Sequence, residues 1–166
     1  MTKHPALYIM GLFAFLFGTT AMAQGLPSEK ILPLSLANEA ALAALADCEA
    51  KGYRVSVAVT DKSGLIKVHI KGDGAGPHTL DSSSHKAYTS ASMRKSTAVL
   101  VDMLAKNPAS EGIKYMNDKI LVLGGGLPIT VGEEAIGGIG VGGAPGGHLD
   151  EACSQAGIDK IKDRLK

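Results

Sequence analysis

Apolar positions recur with two different periods along this chain, and the changes between them divide it into elements. After Ser35, the residues Ala41, Leu42, Leu45 and Cys48 recur at helical spacing. Ser35 offers a side-chain cap and Gly52 a stop, so "LANEAALAALADCEAK" is predicted to be a helix. "YRVSVAVTD" then alternates apolar and polar positions with β-branched residues, the pattern of a strand. Lys62, Ser63 and Gly64 make a turn, and "LIKVHIKG" returns as the hairpin partner. "GDGAGP" is a loop, because no regular element tolerates three glycines and a proline in six residues. Leu80 to about Ser92 reads as a second helix, and Ser96 to Lys106 as a third that Pro108 closes. "KILVLGGGLPITVGEEAIGGIGVGG" reads as three short strands joined by glycine-rich turns. "HLDEACSQA" is a final helix stopped by Gly157, with an amphipathic turn or two from Ile158 to Leu165. This order predicts an α+β domain, an antiparallel sheet with helices packed on it.

The first residues stand apart from this pattern. Lys3 and His4 precede the apolar run "ALYIMGLFAFLFG", and "AMA" then places small residues at the −3 and −1 positions before Gln24. That is the form of a signal peptide, too short in its apolar part to span a bilayer comfortably. Residues 1–23 are read as a removed leader and 24–166 as one exported domain, periplasmic or secreted.

Removing the leader changes the composition. All three phenylalanines, Phe13, Phe15 and Phe17, leave with it, and the aromatics that remain are Tyr53, Tyr88 and Tyr115. The core must therefore be built from Val, Ile, Leu and Ala. Sixteen basic residues then face sixteen acidic ones, with no Lys/Arg run or basic patch. Nucleic acid is excluded as a partner on that ground, and so is an acidic membrane surface once the leader is gone. Two cysteines, Cys48 and Cys153, have neither metal-knuckle nor CxxC spacing. Export permits them to bond. Each lies on an apolar helix face, Cys48 near the end of the first helix and Cys153 near the start of the last. The alternative to a bond is that the two pack as buried thiols.

Several motifs fail on context. Gly138, Gly140 and Gly143 match GxGxxG, but too little chain follows for the second parallel strand of a dinucleotide fold. "GGGLP" has no GK[ST] after it. Ser82, Ser83, Ser84, His85 and Asp81 splay around one helix, and no GxSxG elbow is present. Asp81 and His85 lie one turn apart and His78 could join them, yet a zinc site lacks a fourth ligand. Among the other histidines, His69 alternates in a strand and His148 opens the last helix. His85, between serine and Lys86, reads as helix surface. His78 follows "GAGP" in a loop entering a helix. There an imidazole either reaches a pocket or stands as an ordinary loop histidine.

From "VSVAVTDKSG" through "GPHTLDSSSHKAYTSAS" and "LGGGLPI" to "GGIGVGG" and "LDEACSQAGI", the chain resembles the GlcG/HbpS family, also called haem-degrading-domain-like. The resemblance spans about Leu34 to Ile158, with Gly142 standing where the family usually has serine. It implies a profilin-like fold, a five-stranded antiparallel sheet with helices on both faces, assembled into a homo-oligomer. It further implies an exported ligand-binding protein with haem, or a related tetrapyrrole, as the ligand and no turnover. The alternatives are an oligomeric accessory protein with no small-molecule site, and an enzyme degrading haem or acting on a small metabolite. Haem requires an apolar slot, axial donors and cations for its propionates. His78, His85, Tyr88 and Met93 offer donors and Arg94 and Lys95 cations, with His78 the first choice for the iron. With no Phe or Trp to stack on a porphyrin, the pocket is expected where two subunits meet.

Overall fold

The computed structural model describes Gly25, Leu26 and residues 28–166. The predicted leader and its cleavage point lie outside these residues. Among the described residues, no helix is long and apolar enough to cross a membrane.

The elements run α1 (Leu34–Ala50), β1 (Ser56–Asp61), β2 (Ile66–Lys71), α2 (His78–Met93) and α3 (Thr97–Lys106). A 3-10 segment, Pro108–Tyr115, follows, then β3 (Gly126–Val131), β4 (Glu134–Gly142) and α4 (Gly147–Ile161). The strands form one sheet in the order β2-β1-β4-β3, every neighbouring pair antiparallel. The α+β prediction holds, but the sheet has four strands where five were expected. The "ILVL" stretch is the missing one. It passes over α2, where the Leu121 N–H donates to Thr89 Oγ1 (2.8 Å) instead of joining a ladder.

The two faces of the sheet are built differently. On one, Val57, Val59, Ile139 and Val141 meet α1 and α4 in an aliphatic core. α1 contributes Ala37, Ala40, Ala41, Ala44 and Cys48 to it. Leu42, expected on that face, is 49% exposed. Small alanines let α4 approach closely. Gly157 belongs to this contact: a Cβ there would lie 2.6 Å from the Ala40 carbonyl oxygen. It therefore does not stop the helix, which continues to Ile161. Cys48 and Cys153 are disulfide-bonded across the same α1–α4 seam, with α-carbons 5.6 Å apart.

α2 covers the other face, over β4 and β1. Opposite it stand Gly138 and Gly140, whose missing side chains admit the helix backbone at Ala87 and Ser83. Close approach, rather than apolar volume, holds this layer.

Two boundaries move and one holds. Pro33, extended at φ −63° and ψ 144°, precedes α1, so Ser35 lies inside the first turn and does not cap it. α2 starts at His78, two residues before the predicted Leu80, because Pro77 already has helical dihedrals. His78 is thus the first helical residue and not part of a flexible loop. Ser96 does cap α3, accepting the Ala98 N–H at 3.1 Å.

Candidate functional site

At 3.6 residues per turn, the i, i+4 spacing puts positions 78, 82 and 86 near one another along one side of α2. Together with Leu123, Asp150 and the loop Gly143–Gly147 between β4 and α4, they line a cavity of about 310 Å3. Leu123, Ala144 and Pro145 give it an apolar wall. His78 is exposed at its mouth. Ser82 occupies the middle of the helix side, its Oγ in the space a side chain at Gly142 would fill.

Lys86 is buried to 2% exposure, in a helix face otherwise made of Thr79, Ser83, Ala87 and Ser90. Its Nζ donates to the Val141 carbonyl at 2.9 Å and to Asp150 Oδ2 at 2.7 Å. Asp150 Oδ1 accepts the Ala144 N–H at 2.9 Å. The pair therefore ties α2, β4 and α4 to the loop that walls the cavity. Burial pushes the Asp150 carboxyl up from its ordinary value, against the opposing pull of the Lys86 charge. Neither residue stands out when the sequence is read for chemistry. The signal was present in the spacing 79, 83, 86, 87 and 90, which puts Lys86 on the small-residue, buried face.

The six residues proposed from sequence do not converge. His78 alone lines this cavity. His85 is half-buried elsewhere on α2. Tyr88 packs its ring on Gly64, accepts a hydrogen bond from Asn117 Nδ2 (3.2 Å) and lies under Lys119 Nζ, 5.6 Å from the ring centroid. Met93 ends the helix, half-buried. Arg94 turns the corner into α3 with φ 55° and lines a different, polar cavity with Lys62, Ser63, Glu133 and Glu134. Lys95 beside it is exposed. Sixteen residues of helix separate His78 from Arg94, a rise of about 24 Å. Within one chain, Arg94 and Lys95 therefore do not reach a ligand held at His78. The zinc grouping also fails: no set of three His, Cys, Asp or Glu residues among those described could hold a metal ion.

As a haem site, the cavity supplies one accessible imidazole, one apolar wall and one buried cation. Its volume is at the low end for a ligand pocket, so this chain by itself would enclose only part of a porphyrin. Those residues fit an axial donor and an edge, not a complete slot.

An antiparallel sheet clasped between two helix layers, with a cavity between α2 and the start of α4, defines an α+β domain of a recognised kind. The chain belongs to the HbpS-like family, described as haem degrading protein HbpS-like, whose model matches residues 32–159. It is similar to a double mutant of Streptomyces reticuli HbpS at 40% identity and a TM-score of 0.76, covering 85% of this chain and 95% of that one. PduOC, solved as a complex with heme, shares the fold at 23% identity and a TM-score of 0.74, with 80% and 96% covered. A curated relative, an uncharacterized 15.0 kDa protein from the dhaT-dhaS intergenic region of Citrobacter freundii, is 29% identical over 119 residues. That match covers 70% of this chain and 84% of the relative.

Proposed function

We propose that this is an exported haem-binding protein, periplasmic or secreted, which holds its ligand at the α2–α4 cavity without turning it over. The observation that carries the reading is His78: an exposed imidazole at the mouth of a cavity with an apolar wall. Neutral imidazole is a standard axial ligand of haem iron. Membership of a family described as haem degrading supports the choice of ligand. The heme complex of PduOC supports the capacity of this fold for it. Because the cavity leaves most of a porphyrin uncovered, a second copy of the chain completes the site, in a closed homo-oligomer.

Titration of the purified protein with hemin tests this. A shifted Soret band saturating at low micromolar hemin is expected, lost in His78→Ala and kept in His85→Ala and Met93→Ala. A flat titration of the wild type overturns the reading, and an unchanged one in His78→Ala overturns the residue. Adding reductant and oxygen should leave the Soret band in place; its decay would identify an enzyme instead. Sedimentation as a strict monomer with hemin bound would remove the second copy from the site.

A further inference from the structure

Lys86 carries three N–H donors, and two are taken, by Val141 and by Asp150. Among the described residues no acceptor meets the third. The side chain nevertheless lines the cavity, at 2% exposure. A buried ammonium with a donor to spare is costly unless an oxygen completes it. One turn away Ser82 Oγ spends its proton on the Thr79 carbonyl (3.2 Å), which leaves its lone pairs for a donor, and a second turn away stands His78. The loop Gly143–Gly147 and Leu123 line the same cavity.

We propose that Lys86 makes the floor of this cavity a carboxylate subsite. The carboxylate comes either from a haem propionate, in which case the proposal rests on the haem reading above, or from a free small carboxylic acid. Lys86 meets it as a charge-assisted donor in a place shielded from water, where such a bond is strongest. Asp150 already holds one side of the ammonium. The titratable groups lining the cavity are His78, Lys86 and Asp150. Burial pushes the Asp150 carboxyl up from its ordinary value, against the pull of the Lys86 charge. Arg94 and Lys95, the cations chosen from sequence, are at the far end of α2.

The test compares hemin with hemin dimethyl ester, which has the same iron and ring but no free carboxylates. Lys86→Met alone would strand a buried acid, so the variant used is Lys86→Met with Asp150→Asn, whose amide oxygen can still accept the Ala144 N–H. Its folding is checked by thermal melting. Wild type is expected to prefer hemin over the ester by about tenfold or more, the worth of one hydrogen bond to a charged group. The double variant should bind both alike, with the Soret position unchanged because His78 is intact. Equal binding by wild type, or a preference kept in the double variant, overturns the subsite and leaves the haem reading standing. If wild type binds no hemin, the haem reading fails and the subsite is judged on sodium propionate alone. Shifts of the Gly143, Ala144, Gly146 and Gly147 amide resonances in wild type, absent in the double variant, would then uphold it. No such shifts would end it.

Discussion

Lys86 and Asp150, 64 residues apart in the chain, face each other at 2.7 Å with 2% and 4% of their side chains exposed. Removing one partner of such a pair leaves an uncompensated buried charge, whereas apolar replacement of both is often neutral. Lys86→Met alone is therefore expected to destabilise the fold by about 3–5 kcal/mol. Lys86→Met with Asp150→Leu should lie near wild type. Urea unfolding of the three proteins checks the order; equal losses in the single and double variants would show that the pair is not an interacting unit.

The same acid gives the protein a definite pH response. Its folded pKa is raised above the ordinary 3.8 by burial, with Lys86 pulling the other way. Between the unfolded and folded values the native state binds the extra proton, so stability from this group falls as pH rises through that window. It is fully present below the unfolded value. Relative to the Lys86→Met, Asp150→Leu protein, wild type should lose stability as pH is raised from about 4. Parallel stability curves in the two proteins would contradict this.

Cys48 and Cys153 close a loop with a sequence separation of 105 residues, and both are fully buried. Cross-links of that span stabilise by up to about 4–5 kcal/mol in the chain-entropy account, and often by less. Cys48→Ala with Cys153→Ala should lower the melting temperature, and wild type under dithiothreitol should resist reduction until it unfolds. Mass spectrometry showing two free thiols in the oxidised native protein would remove the bond.

Arg94 is the one non-glycine residue among those described with positive φ, at 55°, in the position that ends α2. Glycine occupies such caps without the clash a Cβ brings. Arg94→Gly should stabilise by about 0.5–1 kcal/mol net of the added freedom of the unfolded chain. Hemin affinity should not change, since Arg94 is remote from His78. A weakened hemin titration in this variant would place the ligand at the wrong end of α2.

What the sequence by itself determined was local. Alternation in "YRVSVAVTD" foretold β1 because a strand shows its two faces within a few residues, and Ser96 foretold the start of α3 because a cap bonds within its own turn. The family was legible for a related reason: its motifs are short and their order is fixed. The tertiary structure decided everything that depends on a distant partner. "ILVL" has strand composition, yet its backbone meets the Thr89 hydroxyl rather than a sheet edge. Gly157 looks like a stop and is instead a place where α4 touches Ala40. Six donors and cations fall close together in sequence, but most of that stretch is helix, which advances about 1.5 Å per residue and cannot fold back to gather both its ends at one ligand. A lysine is almost always solvated, so residue type alone does not mark Lys86 as buried. Only Asp150, brought from α4 by the packing of the sheet's ends, makes its burial possible.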